Sequence, residues 1–213
     1  RIRGSIAPST MSNVNLAAEL EDGRVVVGES LISNGGVIRR VFLVPRNVAA
    51  NEDAVAAIVA ADLIVIGPGS VYTSIIPNLL VDDIAAAIRA SGAVKIYICN
   101  VATEPGETEH YGVQDHIDAI ERYVGRGAFD HVIVNSRINL EYSDGPSPSL
   151  LRMSESERRS TRMAGTDVVV AEVIDERVPE HHHSERLAKS IMSVYRAANS
   201  AGSAARIAAI RPN

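Results

Sequence analysis

Asp62-Leu63-Ile64-Val65-Ile66-Gly67-Pro68-Gly69-Ser70 is the stretch on which the fold turns. Four aliphatic residues in succession leave no polar face, so the segment fits a strand buried on both sides and stopped by glycine. Strands of that kind belong to parallel sheets covered by helices. Working outward, residues 94–99 and His131–Asn135 repeat the pattern, and 168–171 offers a fourth strand. Helical periodicity fills the intervals at 74–80, 82–91 and Val113–Val124, the last with Ile117, Ile120 and Val124 on one face. A closing helix is expected over 186–198. Upstream, Glu21-Asp22-Gly23 joins apolar runs at 14–20 and 24–29, a hairpin signal. A further strand at 37–44 is stopped by Pro45, and Asn51 caps a helix over 52–60.

The expected class is therefore α/β: a three-layer Rossmann-like parallel sheet flanked by helices, with an antiparallel hairpin excursion near the N-terminus. Residues 1–200 read as one such domain and 201–213 as a tail. The stretch 139–162, rich in Ser, Pro, Glu and Arg, reads as an irregular excursion or lid.

Composition supports this reading. Of the 213 residues, 46% are hydrophobic and only 4% aromatic, so the core is aliphatic. The formal net charge of -5 argues against a nucleic-acid surface, which shows a basic stripe. No apolar run reaches the about 18 residues a membrane span needs. The lone Cys99 excludes an internal disulfide. A cytoplasmic protein is the expectation.

Ligands of open parallel sheets sit beyond the carboxyl ends of the strands, so the loops after Ile66, Cys99 and Asn135 are expected to converge. In the first loop, Gly67 and Gly69 permit a sharp turn and close backbone approach around Pro68. Ser70, Thr73 and Ser74 add hydroxyls, and the following helix start would favour an anion. The plainer alternative is a tight turn with caps. No Lys follows, so this is not a Walker loop; the third glycine of a dinucleotide fingerprint is missing as well. The second loop, from Asn100 to Thr108, offers Asn100, Thr103 and Glu107; Glu107 suits a ribose hydroxyl or a metal. His110 and His116 could face the site. His181-His182-His183 make a poor metal site, because adjacent side chains diverge.

Four stretches together resemble one family: 67–81, 96–108 continued by Asp115-His116-Ile117, and the shorter Pro8-Ser9-Thr10 and Gly28-Glu29-Ser30. It is the gluconeogenesis factor family (YvcK-like, UPF0052), related to 2-phospho-L-lactate transferase. The resemblance runs from Ser5 to Asn135. It implies a nucleotide-sugar-binding regulator of bacterial carbon and cell-wall metabolism, with a UDP-sugar such as UDP-N-acetylglucosamine as ligand. It adds Thr10, Tyr72 and Asn78 to the ligand-binding candidates. The alternative it implies is a transferase moving a phospholactyl group from a nucleoside diphosphate donor, and only there is Mg2+ expected. Glu104, Glu107, His110 and Asp115 are then open candidates for a general base. A homodimer is expected. The family opens with a Gly-rich strand-helix unit that is absent from this chain, so part of the cleft wall is expected to be missing. It also has Arg-His-Asp before its final helix, where this chain has the three histidines.

Overall fold

The computed structural model describes residues 4–136, 149–163 and 165–210. Two sheets share one hydrophobic core. The first is antiparallel, in the order β2-β1-β3, built from β1 (Asn15–Leu20), β2 (Val25–Val27) and β3 (Ile38–Val44). The expected hairpin is there: Leu20 N–H donates to Arg24 O at 2.9 Å around Asp22-Gly23. It makes up two strands of a three-stranded sheet, because β3 pairs with the other edge of β1 from Asn15↔Val44 to Leu20↔Ile38. A short helix that the sequence reading missed, α1 (Glu29–Ile32), follows β2.

The second sheet is parallel, in the order β4-β5-β6-β7: β4 (Leu63–Ile66), β5 (Val94–Ile98), β6 (His131–Asn135) and β7 (Asp167–Ala171). Alternation along the strands divides the core. Ile96, Ile98 and Ile133 face α7 (Ser184–Ile210) through Leu187 and Val194. Tyr97, Cys99, Val132 and Val134 face the opposite layer. That layer holds α4 (Asp82–Ala90) and α5 (Val113–Val124), which bury Ile84, Ile88, Ile117 and Ile120. Helix, sheet and helix give the expected three layers. The antiparallel sheet joins the same core through Ala18, Leu20, Val41 and Leu43.

Caps fix the helix starts. Asn51 Oδ1 accepts the Asp53 N–H at 3.0 Å and opens α2 (Glu52–Val59). Asp115 Oδ2 reaches back to the Gly112 N–H at 2.8 Å and opens α5. Beyond Gly69 the chain enters a wide π-helical turn, Val71–Ile75, and continues as α3 (Ile76–Leu79).

The irregular excursion expected over 139–162 is corrected in part. Residues 139–148 lie outside the described residues, but Glu155–Met163 is a helix, α6. Ser154 and Glu157 cap it reciprocally: Ser154 N–H donates to Glu157 Oε2 at 2.7 Å, and Glu157 N–H to Ser154 Oγ at 3.1 Å. Its buried Thr161 donates to Gln114 Oε1 of α5 at 2.6 Å. The closing helix is also longer than 186–198: α7 continues past Gly202 to Ile210. Among the described residues no single helix is long and apolar enough to cross a membrane.

Ile120 has no exposed surface and belongs to the core that both sheets share. Ile120→Ala is expected to cost about 2–5 kcal/mol, read as a lower denaturant midpoint at unchanged slope.

Candidate functional site

Gly67 ends β4 with φ +77, in the left-handed region that favours glycine. A Cβ there would meet Ile98 O at 3.1 Å and Ile75 Cδ1 at 3.2 Å, so the loop lies directly against the end of β5. This close approach places Pro68, Gly69, Ser70 and Ser74 on one wall of a cleft of about 1020 Å3. Asn100, Thr103 and Glu104, from the loop after β5, form the floor. Glu180, His181, His182 and the N-terminus of α7 at Ser184 form the far wall. Two of the three expected loops therefore converge. The third begins at Asn135, whose Oδ1 accepts the Val173 N–H at 3.3 Å, and its continuation lies outside the described residues.

Glu104 ties the loops together. Its carboxylate accepts from Ser70 Oγ on one oxygen and from Asn100 Nδ2, at 2.9 Å, on the other. Burial lifts its carboxyl above the ordinary carboxylate range; the Ser70 hydrogen bond opposes that lift and the Glu107 charge adds to it. Asn100 is buried, and its Oδ1 has no hydrogen-bond partner among the described residues. His182 Nε2 lies 3.2 Å from Cys99 O, and burial together with the charge of His181 depresses its pKa, so the ring is neutral near pH 7. A neutral ring that donates from Nε2 keeps Nδ1 as an acceptor. The Cys99 thiol is wholly buried and pushed up to about 12, which removes it as a nucleophile.

Other candidates lie elsewhere. Glu107 is buried and turned inward: it accepts from Ser33 Oγ at 3.0 Å, Thr73 Oγ1 at 2.9 Å and the Tyr72 N–H at 3.3 Å. Glu107 and Thr73 thus bond to each other beneath the cleft. Tyr72 is buried with its hydroxyl on Tyr111. Thr10 donates to Ala49 O at 2.6 Å and lines neither cleft. Gly67, Pro68, Ser74 and Asn78, with Ser9, line a second cleft of about 790 Å3 beside β4. There Ser9 Oγ donates to Asn78 Oδ1, and Asn78 Nδ2 donates to Ser74 O at 2.8 Å. His116 is buried against Tyr111 with Nδ1 2.8 Å from Gly112 O, and His110 is exposed outside the cleft. Asp115 is the α5 cap.

Sequence reasoning left Glu180, His181, His182 and Ser184 out of the ligand-binding set. The three histidines read in the sequence as a poor metal site and as the lead-in to the final helix, and among the described residues no His, Cys, Asp and Glu cluster suits a metal. The available signal was their position just before a helix that follows a parallel strand.

The profile of the family described as 2-phospho-L-lactate transferase CofD matches residues 1–174. The chain belongs to the CofD/UPF0052 family. Among its relatives, a putative gluconeogenesis factor of Nostoc sp. is 43% identical over 206 residues, covering 91% of this chain and 44% of that protein. The gluconeogenesis factor of Bacillus subtilis is 49% identical over 136 residues, covering 63% of this chain and 43% of that protein. A crystal structure of a UPF0052 family member from Bacillus halodurans superposes with a TM-score of 0.78 at 34% identity, covering 90% of this chain and 62% of the other. The chain thus spans less than half the length of the first two relatives. The family match agrees with the resemblance carried by residues 67–81 and 96–108.

The fold favours protonated Glu104, so its contribution to stability is full below the ordinary value of 4.5 and is lost as pH rises above it. Glu104→Gln, which stays neutral, should therefore gain stability relative to the unsubstituted chain between about pH 4 and 8. Urea midpoints across that range test this; a difference that does not change with pH would contradict it.

Proposed function

We propose that the cleft between the Gly67 loop, Asn100 and the start of α7 binds a nucleoside-diphosphate-linked ligand, a UDP-sugar, and that the chain is the nucleotide-sugar-binding part of a regulatory protein. The observation that carries this reading is the approach of a glycine-turned strand end and the start of a long helix to one concave space. Its volume of about 1020 Å3 suits a ligand larger than a single phosphate. Backbone amides at the first turn of α7 are donors for phosphate oxygens. Ser70, Thr103 and Ser184 add hydroxyls, and the unpartnered Asn100 Oδ1 is an acceptor for a ribose or sugar hydroxyl. The gluconeogenesis factors among the relatives support a regulatory reading.

Among the described residues the cleft lining contains Glu104 and Glu180 and no Lys or Arg. A diphosphate beside Glu104 is bound better when that carboxyl is protonated. Calorimetry of the full-length protein with UDP-N-acetylglucosamine should show saturable heat, and affinity should rise as pH falls toward 5. Folded protein giving no heat at millimolar ligand would refute the reading.

A transferase reading is favoured by one specific feature, the half-buried Glu104 with its raised proton affinity beside the hydroxyl of Ser70. Such a group suits general acid–base work, and the family description names a transferase. Turnover of a lactyl diphosphoguanosine donor onto a deazaflavin acceptor, lost in Glu104→Gln, would select this reading over simple binding.

A further inference from the structure

A third concavity, of about 260 Å3, opens beside β3 and shares no residue with the cleft around Ser70. Arg40, Phe42, Arg46, Asn47, Leu80 and Tyr123 line it, and none of its lining residues is acidic. Both clefts described above do contain acids, Asp53 in one and Glu104 with Glu180 in the other. In a chain of net charge -5, a hollow with two guanidiniums and no carboxylate is a local reversal of sign.

The two guanidiniums gather at one ring. Arg46 Cζ lies 4.5 Å and Arg40 Cζ 5.9 Å from the centroid of Phe42. The ring attracts both cations but neutralises neither. Glu19 is the nearby acid, and it is shared: one oxygen accepts from Arg39 Nη1 at 2.9 Å, the other from Arg40 Nε at 2.7 Å. One carboxylate therefore faces two guanidiniums before Arg46 is counted. Arg46 makes no ion pair or hydrogen bond among the described residues.

A third donor points the same way. Tyr123 Oη accepts the Val41 N–H at 3.1 Å and donates to no acceptor among the described residues. Burial raises its pKa, so the hydroxyl keeps its proton, while the charges of Arg122 and Arg40 pull the other way and register the positive field there.

We propose that this concavity is a recognition site for a small phosphomonoester, with Arg46, Arg40 and the Tyr123 hydroxyl on the phosphate oxygens and Phe42 and Leu80 against the group that carries it. A phosphomonoester has three terminal oxygens for three donors and nearly two negative charges for two guanidiniums, which a carboxylate lacks. The volume is small for a nucleotide and sufficient for a phosphate with a few further atoms. This site is independent of the proposed nucleotide cleft.

Phenyl phosphate is the probe, titrated into the full chain by calorimetry and by 15N-edited NMR of the arginine Nε–H signals. Binding should saturate, shift the Arg46 and Arg40 signals, and weaken at least tenfold in Arg46→Gln. That variant is chosen because Arg46 has no ion pair to lose, and an unchanged melting temperature would confirm intact folding. Tyr123→Phe should weaken binding severalfold. Equal binding by Arg46→Gln, or a linear response with no saturation, would overturn the site. Benzoate binding as tightly as phenyl phosphate would overturn the phosphate assignment, and inorganic phosphate doing so would overturn the ester assignment.

Discussion

The buried carboxylate of Glu107 is the constraint on which the arrangement of the two sheets depends. A carboxylate taken out of water must regain its hydrogen bonds from the protein. Glu107 takes them from three places: Ser33 after α1, Thr73 in the π-helical turn after β4, and the Tyr72 backbone. Ser33 lies on the connection between β2 and β3, and Tyr72 and Thr73 follow β4, so one side chain ties the connections of the antiparallel sheet to the carboxyl edge of the parallel one. Its neighbour Gly106, at φ +78, sits where a Cβ would lie 2.0 Å from Ser33 O. No other residue could occupy that position without parting the two units.

With Glu107 committed to structure, the neighbouring Glu104 is free to face solvent space. Both carboxylates come from one strand-end loop three residues apart, yet one is nearly inaccessible and the other lines the cleft. The loop around them is braced from outside. Thr103 N–H donates to Ser149 O and Leu151 N–H to Val101 O, both at 2.9 Å, and the Glu104 N–H donates to Thr108 Oγ1 at the same distance. The polar groups of the cleft thus sit on backbone that is already hydrogen-bonded, which lowers the ordering cost of any ligand they contact.

Much of the fold was legible because apolar runs have direct physical consequences. The apolar run over 63–66 is a parallel strand as expected, but β4 lies at the edge of its sheet with Val65 exposed, so it is not buried on both sides; the Asp22-Gly23 turn and Asn51 cap act as their chemistry requires. Helix α6 was obscured by its Ser, Glu and Arg content, although Ser154 and Glu157 form the very pair that caps it. The site was legible only by loop. That the 67–74 and 100–108 loops meet follows from strand order. Which side chains point outward does not: Thr73, Tyr72 and Glu107 carry ligand-like groups but are spent on one another, whereas Glu104 and His182 turn toward the cleft. The difference lies in packing across residues about 35 to 80 positions apart, which no local pattern encodes.

Among the described residues no Lys or Arg lines the cleft, which has a further consequence for the groups that do line it. Attraction between mobile charges and an anion is screened within about 8 Å at physiological ionic strength, so sites built on basic side chains weaken as salt rises. Amides and hydroxyls fixed at short range are screened far less. A ligand held by such groups would lose less of its affinity as salt rises than one held by basic side chains.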